Sequence, residues 1–278
     1  MEITTPAEQL LFSTVLVQTE GPEAGDSGAG TAFMFSYENE EGVLVTLVTN
    51  KHVVRGAKRG TFFFTKRRGD QPAIGERYDV VFDNFENAWH GHSDPDVDIA
   101  VMPLSPILER IKKESNVDVF IRSLSHEMIP SKEQIEQLDA LEEVVFVGYP
   151  NAIYDTVNLM PVMRRGSTAT PLQIDYEGRP TFLIDASVFP GSSGSPVMIY
   201  NLGGFSGKQG FTVGTRLMFL GILSQAAFLE EEGTIDFAAI PTKTGPVVRT
   251  RQMIDIGVVF KAKLIVEAIE QGLSLRKI

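Results

Sequence analysis

Over residues 10–82 the chain runs in short β-branched and aromatic stretches broken by Gly, Asp and Asn, with no regular strand–helix–strand alternation. Residues 12–18 are rich in Val and Thr, Thr31-Ala32-Phe33-Met34-Phe35 follows a glycine-rich stretch, and residues 43–49 and 61–65 continue the pattern. Short strands at close intervals fold as a barrel or sandwich, because each must bury one face against another sheet. A doubly wound parallel sheet would need a helix after each strand, which argues against that class here. Strand signals resume at 144–148, 181–184, 197–199, 212–213, 217–224 and 256–260. Between them, Ile107, Leu108, Ile111 and then Ile135, Leu138, Leu141 recur at spacings of three and four, which predicts two helical pieces separated by a loop at Met128-Ile129-Pro130-Ser131. An amphipathic helix is predicted over 262–271. The expected organisation is one unit of two β-halves, about 10–104 and 144–260, with a helical insertion at 105–143 and a C-terminal helix from about 261.

The 278 residues carry a formal charge of -11, which disfavours binding to nucleic acid or anionic membranes. With no cysteine, the chain has no disulfides, thiol nucleophile or zinc–cysteine site. The first residues show neither a basic n-region nor an apolar h-region, and no apolar run nears the roughly 18 residues of a membrane span. The expectation is a cytoplasmic protein whose core is held by packing alone.

Three segments carry chemistry, in this order: Thr49-Asn50-Lys51-His52-Val53-Val54, Asp96-Val97-Asp98-Ile99-Ala100-Val101 and Pro190-Gly191-Ser192-Ser193-Gly194-Ser195-Pro196-Val197. Serine is a poor nucleophile near neutral pH and needs a neighbouring base. Histidine supplies it, and a carboxylate fixes the tautomer and stabilises the imidazolium. His52, Asp98 and Ser193 are therefore the catalytic candidates. Glycines around Ser193 allow a sharp turn, so the N–H groups of Gly191 and Ser193 are candidates for an oxyanion hole.

Other readings compete at each position. His52 alone would be a core histidine, but the ordered set reverses that. Asp94 and Asp96 compete with Asp98, which is preferred because an apolar strand begins directly after it. Gly25-Asp26-Ser27-Gly28-Ala29-Gly30 imitates a nucleophile motif, yet it precedes the histidine and reads as a flexible turn with Ser27 as a decoy. Trp89-His90-Gly91-His92 with Asp94 and Asp96 could hold a cation, but reads better as a polar loop. His126 lies in the insertion without such partners. No metal or cofactor is expected.

The order His, Asp, Ser and the hexamer Gly191-Ser192-Ser193-Gly194-Ser195-Pro196 resemble the chymotrypsin/trypsin-like serine peptidases. Within them the chain is similar to the cysteine-free bacterial branch of glutamyl endopeptidases, and Ile184-Asp185-Ala186-Ser187 and Asp98-Ile99-Ala100-Val101 resemble HtrA proteases. The resemblance covers roughly residues 10–272 apart from the insertion. It implies an all-β, chymotrypsin-like double β-barrel with a helical insertion and a C-terminal helix, and an endopeptidase working through an acyl-enzyme. Gly221-Ile222-Leu223-Ser224-Gln225-Ala226 resembles the strand that pairs with substrate, which implies that Ser224 bonds the triad aspartate. It further implies Ser187, Ser224, Gln225, Ala226 and Gly257 around the substrate. None of the pocket positions is charged and Leu223 stands where glutamyl enzymes place a histidine, so small-to-medium apolar P1 residues are expected. Ser192 replaces the aspartate that pairs with a new N-terminal amine in trypsin-like zymogens, which argues against activation by N-terminal cleavage. The expected partner is a peptide or protein substrate, with the 105–143 insertion as a place for a regulatory protein to dock. Alternatives are a latent or inactive protease-fold binding protein, and an esterase using the same triad.

Overall fold

The computed structural model describes residues 2–23, 25–40, 42–150, 153–208, 210–234 and 247–276. After a short helix, α1 (Pro6–Leu10), capped by Thr5, seven strands build the first sheet: β1 (Thr14–Glu20), β2 (Ser27–Asn39), β3 (Gly42–Thr49), β4 (Arg59–Arg68), β5 (Gln71–Asp83), β6 (His90–Gly91) and β7 (Ala100–Pro103). A short helix, α2 (Lys51–Val54), interrupts them between β3 and β4. Their order across the sheet is β5-β4-β1-β2-β3-β7-β6, and β8 (Leu124–Ser125) joins β2 in parallel.

The second sheet is a closed barrel. It comprises β9 (Glu143–Gly148), β10 (Val162–Thr168), β11 (Thr181–Asp185), β12 (Pro196–Asn201), β15 (Arg216–Thr234) and β16 (Val247–Lys261), ordered β10-β11-β16-β15-β12-β9. A separate hairpin, β13 (Gly204–Gly207) with β14 (Gly210–Val213), leaves the barrel between β12 and β15. Two helices stand in the connection between the sheets, α3 (Ser105–Ser115) and α4 (Lys132–Gln137), and α5 (Lys263–Arg276) follows β16. The chain thus has the chymotrypsin-like double β-barrel fold with a C-terminal helix. No described helix is long and apolar enough to cross a membrane.

Strand periodicity explains how the two halves join. Successive side chains on a strand point to opposite faces. On β2, Ala32 and Met34 enter the core of the first sheet, whereas Phe33 and Phe35 enter a second core between the halves. On β9, Val144 and Phe146 fill the barrel interior, and Val145 and Val147 face that same seam. Both faces are buried, so these segments read as continuous apolar runs rather than alternating ones. Phe219 packs edge-on to Phe33 at 5.5 Å between ring centres, and Ile265, Ala268 and Ile269 of α5 close the seam. Burying one such side chain contributes roughly 1.5–3 kcal/mol.

Three differences from the sequence expectation have physical causes. Ser27, Gly28, Ala29 and Gly30 are strand, not turn. The two glycines serve close approach: a Cβ at Gly28 would meet Thr19 Oγ1 at 2.8 Å, and one at Gly30 would meet Val53 Cγ1 at 2.6 Å. β5 lies in the stretch read as strand-rich but without bounds of its own, and β10 was not anticipated, because polar residues mask the pattern in both. The second inserted helix ends at Gln137, so Leu138 and Leu141 lie beyond it, Leu138 buried against the barrel and Leu141 exposed.

Candidate active site

The end of β3 sets the first residue. Asn50, fully buried, precedes the single turn of α2, and its Nδ2 donates to the Asp98 carbonyl at 2.7 Å. This ties the turn bearing His52 to the segment entering β7. The absent side chain of Gly30 lets Val53 lie on β2, which fixes the roll of α2. His52 and Asp98 then meet twice: Nδ1 lies 2.6 Å from Asp98 Oδ2, and the His52 N–H donates to Oδ1 at 3.0 Å. The Ser224 hydroxyl also donates to Oδ2, at 2.6 Å. Burial alone would raise the Asp98 pKa, but the bonds from His52 and Ser224 outweigh it and hold the carboxyl below its usual value. Asp94 plays another part, its Oδ1 capping the turn by accepting the Asp96 N–H at 2.9 Å.

Ser193 stands on the loop between β11 and β12. That loop is shaped by Gly191 and Gly194, both at positive φ (85° and 88°). At Gly194 a side chain is sterically forbidden, since its Cβ would lie 2.9 Å from Thr31 C and closer still to its carbonyl oxygen. Thr31, on β2, clamps the loop to the other half. Its N–H donates to the Ser193 carbonyl at 2.9 Å and its hydroxyl to the Gly191 carbonyl at 3.0 Å. The amides of Ser192, Gly194 and Ser195 are satisfied by Phe189, Leu223 and Ser192 carbonyls. Among the described residues, the N–H groups of Gly191 and Ser193 have no acceptor. Two neighbouring donors left open at a nucleophile candidate are what a developing oxyanion requires.

His52 and Ser193 line one cleft with two lobes. The lobe of about 590 Å³ is bounded by Asp98, Ser224, Gln225 and Ala226, with Val188, Phe189 and the exposed Arg179. The lobe of about 630 Å³ is bounded by Ser27, Gly28, Ala29 and Gly191. The Ser193 hydroxyl donates to the Ser224 carbonyl at 3.2 Å, and no hydrogen bond joins it to His52. β12 pairs with β15 only up to Ile222, so on that side the edge of Ser224, Gln225 and Ala226 has no strand beside it among the described residues.

The other expected pocket residues lie further away. Ser187 gives its carbonyl to the Arg164 Nη1 at 3.0 Å and is not among the residues bounding the cleft. Gly257 pairs with Ala226 across β15 and β16, and a Cβ there would press on Leu223 and Val188 at 2.9 Å. His92 accepts the Asp94 N–H on Nδ1, and the described residues hold no cluster of three or more His, Asp or Glu arranged to bind a metal. Sequence reasoning missed Asn50, Thr31 and Arg164. The Arg164-Arg165 pair did carry a signal, because alternation on a strand turns one of two adjacent side chains inward.

The sequence profile of the Trypsin-like peptidase domain matches residues 30–203. No curated protein matches the chain by sequence. Among solved structures, the active form of the Rv3671c protease from M. tuberculosis is 18% identical, with 96% of this chain and 84% of that one covered and a TM-score of 0.47. A serine endoprotease from Yersinia pestis is 16% identical, covering 97% and 67%, with a TM-score of 0.45. A thermostable serine protease, AL20, from an extremophilic microorganism is 13% identical, covering 95% and 97%, with a TM-score of 0.44. The profile spans more than half of the chain, which therefore belongs to the family of trypsin-like peptidase domains, serine endopeptidases of the chymotrypsin fold.

Proposed function

We propose that His52, Asp98 and Ser193 form the catalytic triad and that the reaction runs through an acyl-enzyme. The observation that carries this reading is the doubly bonded His52–Asp98 pair beside Ser193 and two open amides. Asp98 holds the proton on His52 Nδ1, which leaves Nε2 free to accept the Ser193 proton. Ser193 Oγ attacks the scissile carbonyl, and the resulting oxyanion takes the Gly191 and Ser193 N–H groups. The imidazolium then passes its proton to the leaving amine, and the C–N bond breaks. Water, deprotonated by His52, splits the acyl-enzyme to acid and free Ser193.

The Ser193 hydroxyl resting on the Ser224 carbonyl fits this scheme. An extended peptide added along Ser224, Gln225 and Ala226 would donate a backbone N–H to that carbonyl. The peptide displaces the hydroxyl, which rotates towards His52. Val188, Phe189 and Ala226 give the lobe beside Ser224 an apolar wall, which supports cleavage after uncharged, small-to-medium apolar residues. A second reading has one observation behind it: Arg179 lines the same lobe with no ion pair among the described residues, and would attract an acidic side chain.

The test is labelling by a fluorophosphonate probe of the wild type, Ser193→Ala and Ser27→Ala. Ser27 is exposed in the same cleft and serves as the control. Loss of label in Ser193→Ala alone is expected. Label retained in Ser193→Ala, or absent from a folded wild type, would overturn the assignment. Cleavage of a peptide library then separates apolar from acidic preference, and turnover of esters without peptides would redirect the reading to an esterase.

A further inference from the structure

Beneath the loop that carries Ser193 lies a cation with no counter-ion. Arg164 sits on β10 directly across from Phe146 of β9, so both side chains leave the same face of the barrel wall. Its guanidinium lies 4.4 Å from the centre of the Phe146 ring. Nη1 donates to the Ser187 carbonyl at 3.0 Å and Nη2 to the Ser192 hydroxyl at 2.9 Å. Nε is buried without a partner, and no carboxylate forms an ion pair with this arginine among the described residues. Burial without an anion pushes the group down to about 10. Ser192 is itself fully buried, and its hydroxyl also accepts the Phe189 N–H at 3.2 Å.

The arginine therefore grips the loop at two points, before Val188 and between the two open amides of Gly191 and Ser193. A forked donor suits this role, because its fixed geometry bridges two acceptors that a lysine could not hold together. Trypsin-like zymogens use an aspartate at the position of Ser192 and recruit a new N-terminal amine to it. Here the loop's anion is absent. The loop residue is a neutral hydroxyl and the cation is built into the barrel wall, present as soon as the chain folds.

We propose that Arg164 is the positioning residue for the oxyanion loop. It keeps the Gly191 and Ser193 amides open to substrate without a cleavage event, and its unneutralised charge adds to the field on the developing oxyanion. The inference rests on the triad reading above, so its test includes a measurement that does not need catalysis. In Arg164→Met, amide hydrogen exchange of the peptide spanning 187–195 should rise at least about tenfold while that of 144–148 stays unchanged. Kinetically, Arg164→Met should lose about 100-fold in kcat with KM within about twofold, the pattern of a lost transition-state donor. Arg164→Lys should recover only part of the loss. In Arg164→Ala, millimolar guanidinium should restore kcat at least about tenfold by filling the vacated position. Ser192→Ala, which removes one grip and leaves the barrel wall intact, should show a smaller kcat loss of the same kind.

Unchanged exchange of 187–195 in Arg164→Met overturns the proposal, whatever the activity. So does a kcat within about threefold of wild type, or a loss that tracks the melting temperature and is not rescued by guanidinium. Failure of the wild type to label at Ser193 would overturn the triad reading instead, and the exchange experiment would still decide the role of Arg164 in holding the loop.

Discussion

Replacing Asp98 by asparagine changes no volume and removes one acceptor, so its effect can be worked out from three bonds. Oδ2 receives both the His52 ring and the Ser224 hydroxyl at 2.6 Å, and Oδ1 receives the His52 N–H at 3.0 Å. An amide has one oxygen. If it takes the Oδ1 place, the NH₂ group faces Nδ1 and forces the proton onto Nε2, where it blocks acceptance from Ser193. If it takes the Oδ2 place, the NH₂ group opposes the His52 N–H and the backbone bond is lost, while the imidazolium loses its anionic partner. Either way the base is crippled without moving the fold. A wrong tautomer costs on the order of 10⁴ in rate, about 5 kcal/mol of barrier. We expect kcat for a peptide substrate to fall about 10³–10⁴-fold in Asp98→Asn, with KM within about threefold and the protein still folded at the assay temperature. Ser224→Ala, which removes one bond to Oδ2 and leaves the charge, should cost only about tenfold. A kcat within about tenfold of wild type in Asp98→Asn would refute the role assigned to this carboxylate.

Two further outcomes test the electrostatics and the seam. Because Asp98 is held below the usual carboxylate value, its ionised form stabilises the folded state at pH above the unfolded value, and this contribution fades as pH falls through the folded one. Urea melts at about pH 7 and about pH 2 should therefore show the stability gap between wild type and Asp98→Asn shrinking at the acidic end; a constant gap would contradict the sign. Phe219→Ala empties the ring position against Phe33 and Phe35 and should cost about 3–5 kcal/mol in the same assay, a loss below about 1 kcal/mol excluding the seam as a principal source of cohesion.

The ordered trio of His52, Asp98 and Ser193 was legible because each member lies in a segment whose local chemistry is explicit: a histidine at a strand end, a carboxylate running into Ile99, a serine between glycines. The amide candidates followed from the same segments, and Ser224 from the resemblance of residues 221–226 to a substrate-pairing strand. What sequence could not show is whatever depends on contacts between distant segments. Thr31 reads as an ordinary β-branched residue, yet it bonds Gly191 and Ser193 from 160 or more positions away. For Arg164 the sequence shows only that one of two adjacent arginines turns inward, and its neighbours Phe146 and Ser192 come from other segments. The bounds of β5 were hidden because Glu76, Arg77 and Asp79 interrupt its pattern, and its extent is set by pairing with β4. Gly257 was expected at the pocket but packs under Leu223 and Val188, since strand register, not motif spacing, decides which face a glycine serves.

The apolar seam also decides when in the life of the chain reactivity can first arise. His52 and Asp98 belong to the first half and Ser193 to the barrel, and Ile265, Ala268 and Ile269, which close the seam between them, follow both in the chain. Chains grow from the N-terminus and fold in units as they emerge. A nascent chain that has not yet released α5 therefore holds the two halves undocked, and the proposed triad can assemble only once that helix has emerged. For an endopeptidase this delays the chemistry until the nascent chain has buried its own cleavable segments.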